Sequence, residues 1–313
     1  MNDIDISVVI PAYKSSSFIG ATLDELSEHI KSSAYSYEVI IVVDGSPDDT
    51  YDSVVKYVEH CKVGVWSVIE LSKNFGQHTA NLCGFENASG SWVATMDDDG
   101  QNPPSELRKL EKYIGSNYDL VIGQHSDKKH NTLRRFGSKL VTFLNQVIFK
   151  TPSDLKLSNF RLIRADVVQR VMANKTPRPY IPGLCLKYSY RPVNVVTKHR
   201  PRIEGESNYG LISLIRLVID LLFQHSNLPL LGVVAVSGIF SLIGIFGAFG
   251  LVVSALIFGV RVDGWTSLIV SLFFFSGLIM LTVSIIGFYL IRVLERESSS
   301  IYAVQRKFDT KRR

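Results

Sequence analysis

Asp97-Asp98-Asp99-Gly100-Gln101-Asn102-Pro103-Pro104 interrupts an apolar stretch of chain at the junction of two element types. Before it, Trp92-Val93-Ala94-Thr95-Met96 opens after Gly90 as a short apolar and β-branched segment, the pattern of a buried strand. After it, Pro103 and Pro104 suit the first turn of a helix, because proline presets the backbone angle and lacks an N–H that would be unpaired there anyway. The carboxylates therefore sit where a strand ends and a helix begins. In open α/β sheets, ligand crevices form at the carboxyl ends of strands, and Asp97 and Asp99 project to one side if the strand geometry persists. Two hard oxygen donors there suit Mg2+ or Mn2+ carrying substrate phosphates. A solvated turn competes with this, since Asp is a favoured turn and cap residue. A hydrophobic strand running straight into three aspartates has, however, no structural need of so much charge.

Working outward, Asp5 to Ile10 is a strand stopped by Pro11-Ala12-Tyr13, and Phe18 to Ile30 carries apolar residues at helical spacing. Glu38 to Val43 is a second β-branched run, ending at Asp44-Gly45-Ser46, and Asp48-Asp49-Thr50 marks a helix start. Val65 to Leu71 is a third strand, Ser72 to Gly76 a turn, and Gln77 to Asn87 a helix. This alternation predicts an α/β fold with a mainly parallel central sheet. No Gly-x-Gly-x-x-Gly follows the first strand and no Gly-rich Lys-Ser/Thr loop occurs, which excludes the dinucleotide and P-loop classes. Asp44, at a second strand end, either accepts hydrogen bonds from a base edge or ribose hydroxyls, or simply shapes a type I turn in Asp-Gly-Ser.

Farther along, Asp119 to Gly123 and Leu157 to Ile163 read as strands. Between them Leu133, Phe136, Leu140, Phe143, Leu144 and Val147 form one helical stripe, with Arg134, Arg135 and Lys139 off it. A helix of that kind, over about 132–149, covers the sheet or lies at a lipid interface where cations meet anionic headgroups. Lys198-His199-Arg200-Pro201-Arg202 is a basic loop that ends the first two thirds of the chain.

The chain has 313 residues, 20% charged and 46% hydrophobic, with a net charge of +5, and its apolar residues are unevenly spread. No charged residue occurs from Leu228 to Val260, nor from Gly264 to Ile291. Each run exceeds the roughly 20 residues a helix needs to cross a bilayer, which predicts transmembrane helices at 228–260 and 264–291. The N-terminus lacks the pattern of a signal peptide. The basic residues after Ile291, Arg292 to Arg313, place both ends in the cytoplasm by the positive-inside bias. The expected organisation is a catalytic domain over 1–210, a juxtamembrane helix over 211–227, the two spans, and a basic tail over 292–313. Cys61, Cys83 and Cys185 show no metal-ligand spacing and are expected to be free thiols.

Ser7-Val8-Val9-Ile10-Pro11-Ala12-Tyr13, Val43-Asp44-Gly45-Ser46, Leu71 to His78 and the Asp97 to Pro104 stretch together resemble the family 2 glycosyltransferases. More narrowly they resemble the polyprenyl-phosphate glycosyltransferases, over nearly the full chain. The resemblance implies a GT-A-type nucleotide-sugar-binding domain followed by interfacial helices and a two-helix transmembrane hairpin. It also implies inverting transfer of one sugar from a nucleotide sugar, a UDP-sugar foremost, to polyprenyl (undecaprenyl) phosphate at the cytoplasmic face of the inner (plasma) membrane. Asp97, Asp99 and Gln101 would surround a Mg2+ or Mn2+ ion. Pro11, Tyr13, Asp44, Lys73, Asp97 and Asp98 would meet the donor. Arg134, Ser138, Arg161, His199, Arg200 and Arg202 would approach the lipid phosphate, the last three from a closing loop. Asn159 stands where some relatives carry an acidic residue proposed as a base, and Asn cannot take a proton. The family usually has Asn-Glu where Lys14-Ser15 stand and Leu where Gly100 stands. A homo-oligomer through the transmembrane helices or tail is expected, and no nucleic-acid partner. A processive polysaccharide synthase is disfavoured because no tryptophan follows an arginine. A non-catalytic scaffold that kept the fold is disfavoured by the intact Asp97, Asp99 and Gln101.

Overall fold

The computed structural model describes residues 4–125, 155–174, 179–200 and 302–310 continuously, with residues 144, 146–149 and scattered positions between 218 and 293. Met1–Ile215 and Ser299–Arg313 make one compact unit, and Arg216–Ser298 make another. In the first unit the elements are β1 (Ile6–Ala12), α1 (Ile19–Lys31), β2 (Tyr37–Val43), α2 (Thr50–His60), β3 (Val65–Leu71), α3 (Gln77–Glu86) and β4 (Trp92–Thr95). A 3-10 turn at Pro104–Glu106 leads into α4 (Leu107–Glu111), followed by β5 (Leu120–His125), β6 (Arg161–Arg164), α5 (Ala165–Ala173), α6 (Ile181–Tyr188), β7 (Pro192–Thr197) and β8 (Val304–Asp309).

The eight strands form one sheet in the order β7-β5-β6-β4-β1-β2-β3-β8. Its centre is parallel, with Val8 of β1 opposite both Val39 of β2 and Ala94 of β4. Every residue of β1, β2 and β4 is buried, as expected of strands covered on both faces. Side-chain alternation divides the core. Val8, Ile10, Val39 and Ile41 pack with Leu23, Leu26, Val54 and Val58 of α1 and α2. Val9 and Val93 pack on the opposite face with Leu82 and Phe85 of α3 and Val167 and Val171 of α5. Because β1, β2 and β4 run in parallel, with Ala12 opposite Val43 and Val9 opposite Thr95, the segments that follow them emerge at one sheet edge. Strand β6 is antiparallel to β4 and sets Arg161 opposite Thr95, beside that edge.

The expected fold requires correction. The sheet is mixed, since β6 runs antiparallel to both β4 and β5, and β8 runs antiparallel to β3. Residues 304–309, expected as part of a basic tail, are a strand of the sheet. The transmembrane hairpin is also overturned: among the described residues no helix is long and apolar enough to cross a membrane. A span requires about 20 consecutive helical residues, and apolar composition alone does not supply them. The described residues of 228–260 and 264–291 come in runs of at most three, and most of 228–260 lies outside the described residues. The multi-pass localisation in the inner (plasma) membrane, with both termini cytoplasmic, rested on those spans and falls with them. So does the basis for an oligomer built through transmembrane helices. Of the helix expected at 132–149, residues 144 and 146–149 are described and helical, and Phe149 is buried against Tyr180 with ring centroids 5.9 Å apart. The helix expected at 211–227 lies outside the described residues except for Val218. Cys61, Cys83 and Cys185 are free thiols.

Contact between α3 and β1 depends on Gly84, where an added Cβ would lie 2.2 Å from Val9 Cγ1 and 3.2 Å from its Cβ. Valine is stiff and buried there, so it cannot swing aside. Gly84→Ala is expected to destabilise the protein by about 1–3 kcal/mol through overpacking, measured as a lowered urea midpoint with an unchanged slope.

Candidate active site

Four carboxylates converge at the sheet edge, three of them, Asp44, Asp97 and Asp98, held by chain that is remote in sequence. The Asp44 carboxylate, at the end of β2, accepts the backbone N–H groups of Phe75 and Gly76, both at 2.7 Å. Asp44 thereby clamps the loop between β3 and α3 against the end of β2. The approach is close enough that a Cβ on Gly45 would lie 2.1 Å from the carbonyl carbon of Lys73, and Gly45 has φ +54°, so glycine is required on both counts. Burial raises the Asp44 pKa, and the two backbone donors partly offset it.

Asp97, Asp98 and Asp99 follow β4, and their side chains find different partners. Asp97 Oδ1 accepts from Gln77 Nε2 at 2.5 Å and from Asn159 Nδ2 at 3.4 Å. Asp98 Oδ2 accepts from Ser15 Oγ at 2.5 Å and from the Tyr13 N–H at 3.4 Å, tying the β1–α1 loop to the end of β4. Asp99 is buried, and its Oδ1 accepts the Gln101 N–H at 3.1 Å. Gly100, between them, turns the chain at φ +67°, in the left-handed region that a leucine would resist. Burial first, and then the Asp99 charge, push the Asp97 carboxyl up to about 6 against the opposing pull of Arg161, Gln77 and Asn159. Burial likewise pushes Asp98 up to about 6; Ser15 and Tyr13 oppose the rise, while Asp97 and Asp99 add to it.

Arg161, expected to meet an acceptor phosphate, is 1% exposed and turns inward. Its Nε donates to Thr95 Oγ1 and its Nη2 to Asn159 Oδ1, both at 3.0 Å. Asn159 thus joins a buried cation to Asp97. Of the basic loop, the Lys198 N–H bonds Glu106 Oε2 at 2.9 Å and the Arg200 N–H bonds the Gln101 carbonyl at 2.8 Å. His199 between them is half-buried. The Arg200 guanidinium pairs with Glu25 on α1 at 2.6 Å, with both side chains substantially exposed. Pro11 is buried within β1, Tyr13 is exposed, and Lys73 lies 5.1 Å over the Phe75 ring. Arg134, Ser138 and Arg202 lie outside the described residues. Sequence reasoning passed over Gln77 and Ser15 as site residues. Gln77 could have been found as the first residue of a helix following a turn that ends in glycine.

A divalent cation fits this donor set. Among the described residues no group of three or more His, Cys, Asp or Glu side chains forms a complete cation site. Asp97 and Asp99 supply two hard oxygen donors, the number that suffices for Mg2+ or Mn2+ when substrate phosphates complete the shell. The mutual repulsion that raises Asp97 is relieved by a cation between the carboxylates.

The family model described as glycosyl transferase family 2 matches residues 7–172, from β1 into α5. This chain belongs to that family. The glycosyltransferase is related to polyprenyl-phosphate sugar transferases. It is 32% identical to the undecaprenyl-phosphate 4-deoxy-4-formamido-L-arabinose transferase of Aeromonas hydrophila over 305 residues, covering 94% of this chain and 91% of the relative. It is 30% identical to the protein of the same description in Pseudomonas fluorescens over 294 residues, covering 92% of this chain and 85% of that one. Its fold is similar to that of glucosyl-3-phosphoglycerate synthase from Mycobacterium tuberculosis, with a TM-score of 0.52 and 18% identity over 71% of this chain and 79% of that one. That synthase was crystallised with Mn2+, UDP-glucose and phosphoglyceric acid.

The raised carboxyls make stability depend on pH. A carboxyl at about 6 in the folded state and 3.8 ordinarily binds its proton more tightly when folded. Its stabilising contribution is complete below the unfolded value and is lost as pH rises through the folded one. Metal-free glycosyltransferase should therefore lose stability as pH rises from about 4 to about 6.5. Asp97→Asn should exceed the metal-free wild type by about 1–3 kcal/mol at neutral pH, with the difference closing in acid. Paired urea titrations at the two pH values check this.

Proposed function

We propose that this glycosyltransferase moves one sugar, with inversion, from a nucleotide sugar to polyprenyl (undecaprenyl) phosphate, with a UDP-sugar foremost among donors. The observation that carries the donor half is the convergence of Asp44, Asp97 and Asp99 at the ends of β2 and β4. The acceptor half is supported by relatives whose descriptions name undecaprenyl phosphate and whose similarity runs through 92–94% of this chain.

In this reading the loop that Asp44 clamps, with Pro11, Tyr13 and Lys73, receives the nucleotide. Asp98 holds the β1–α1 loop in place for it. Asp97, Asp99 and Gln101 are the residues that would hold Mg2+ or Mn2+. When bound, such an ion neutralises charge on the departing diphosphate. An acceptor phosphate oxygen attacks the anomeric carbon in line; the bond from that carbon to the donor diphosphate oxygen breaks, and its electron pair leaves with the diphosphate. Asn159 serves as a positioning donor to Asp97 and not as a base. No base is needed, because a phosphate monoester with a second pKa of about 6 is already largely ionised at neutral pH. Arg134, Ser138, His199, Arg200 and Arg202 are assigned to the acceptor phosphate. For Arg200 this means exchanging Glu25 for phosphate, at little cost because exposed ion pairs are worth about 0–1 kcal/mol. Arg161 is assigned to steadying Asn159 and Thr95 from beneath.

Asp99→Asn should abolish transfer while leaving the fold intact, and activity within a few-fold of wild type would remove Asp99 from the cation site. Arg134→Ala should raise the KM for polyprenyl phosphate by about 10- to 100-fold, the size of one lost charge-assisted contact, with little change for the nucleotide sugar. Equal effects on both substrates would move Arg134 to the donor side. Asn159→Asp should keep appreciable activity, and Asn159→Ala should lose activity without losing a basic limb from the pH–rate profile.

A further inference from the structure

Strand β8 reaches the sheet from the far end of the chain and is fastened there by side chains as well as by its ladder. Thr310 bonds both backbone groups of Trp66, accepting from its N–H at 2.9 Å and donating to its carbonyl at 3.1 Å. Arg306 Nε donates to Glu70 Oε2 at 2.6 Å, its guanidinium lies 4.2 Å over the Tyr51 ring, and Asp52 is 3.5 Å away. The Glu70 side chain is only 8% exposed, so without Arg306 it would be a shielded carboxylate lacking its cation.

The upstream end of this segment touches the donor-side loop. The carbonyl of Ala303 accepts the N–H of Ser72, the first residue after β3, at 2.9 Å. Tyr302 packs on Ile40, Val42, Ile69, Leu71, Ala80 and Cys83, the same cluster that receives Phe75. Its hydroxyl bonds Glu86 near the end of α3. Loop Ser72–Gly76 is therefore gripped from two sides. Asp44 takes the N–H groups of Phe75 and Gly76 on the site side, and Tyr302 and Ala303 close the other.

We propose that the Tyr302–Thr310 segment positions loop Ser72–Gly76 for the nucleotide sugar, with Tyr302 and Arg306 as positioning residues acting through Phe75 and Asp44. This rests on the donor reading of Asp44 given above. A five-residue connection anchored on one side only retains conformational freedom that ligand binding must then remove. The second anchor removes it in advance, and the benefit is felt by the donor.

The test uses the full-length protein with Tyr302→Ala, Tyr302→Phe, Arg306→Gln and, as a control, Asp44→Asn. Amide exchange at Phe75 and Gly76 should accelerate about 10-fold or more in Tyr302→Ala and Arg306→Gln, while the amides of β1 stay protected. The KM for the nucleotide sugar should rise by about 5- to 10-fold with the acceptor KM unchanged. Tyr302→Phe, which keeps the packing, should restore both to near wild type. Unchanged exchange at Phe75 and Gly76 overturns the inference. So does accelerated exchange with an unmoved donor KM in Tyr302→Ala beside a raised donor KM in Asp44→Asn. An unmoved donor KM in Asp44→Asn shows that the donor reading itself has failed, and the inference falls with it. Should Tyr302→Ala not fold, Arg306→Gln reads the same segment from within the strand.

Discussion

Three consecutive carboxylates crowd their negative charge at one strand end, where burial and mutual repulsion raise Asp97 and Asp98, and the chain around them is arranged to meet that constraint. The bonded partners of Asp97 and Asp98 are neutral: the amides of Gln77 and Asn159, the hydroxyl of Ser15 and the Tyr13 N–H. Neutral donors stabilise a carboxylate without cancelling its charge, so the negative potential survives for a cation. Arg161 is close enough to lower the Asp97 pKa, yet its guanidinium donates to Thr95 and Asn159. A guanidinium paired bidentately with Asp97 would satisfy the charge outright and leave nothing to bind a metal. One residue of separation keeps the site anionic.

Topology makes this arrangement possible. Parallel β1, β2 and β4 deliver the Tyr13–Ser15, Asp44 and Asp97–Asp99 segments to one edge, and antiparallel β6 slides Asn159 and Arg161 in beside them. Beyond the edge, the Gln101 carbonyl and the Glu106 carboxylate take the backbone of Arg200 and Lys198. The basic loop is thus attached through its backbone to the segment that carries the carboxylates, while its Arg200 side chain stays on an exposed and exchangeable ion pair.

The strands of the first hundred residues were legible because a buried parallel strand announces itself as a continuous β-branched run, as in Glu38 to Val43. Their ends were legible because Asp44 and the Asp97 triplet break those runs abruptly. Contacts that depend on two remote side chains meeting were not: Gln77 lies 20 positions from Asp97, and Ser15 lies 83 from Asp98. Strand β8 was invisible for another reason. Val304-Gln305-Arg306-Lys307 is exposed along an edge, and a strand of that kind carries the charges that edges use against aggregation, so locally it is indistinguishable from a basic tail. The apolar runs at 228–260 and 264–291 misled in the opposite direction. Hydrophobicity reports a capacity for burial, and among the described residues no helix has the length and apolarity that a span requires.

Alternation along the triplet also sorts its members. Asp97 turns toward Gln77 and Asn159, while Asp98 turns toward Ser15 and Tyr13 on the β1–α1 loop. That loop passes through Lys14 at φ +54°, a conformation lysine resists and asparagine, which the family usually carries there, tolerates better. Its neighbours hold it in that shape: the Lys14 N–H donates to Ser46 Oγ at 2.8 Å and the Ser15 N–H to Thr50 Oγ1 at 3.0 Å. Asp98 completes the grip from the β4 side, and its backbone carbonyl takes the Thr22 hydroxyl of α1 at 3.0 Å. The middle aspartate of the three is therefore part of the scaffold, and its charge is committed to holding a strained loop beside the donor-side segment. Asp97 and Asp99 are then the two left for the proposed cation site, and a pair of carboxylates is what a phosphate-bearing divalent cation requires of a protein.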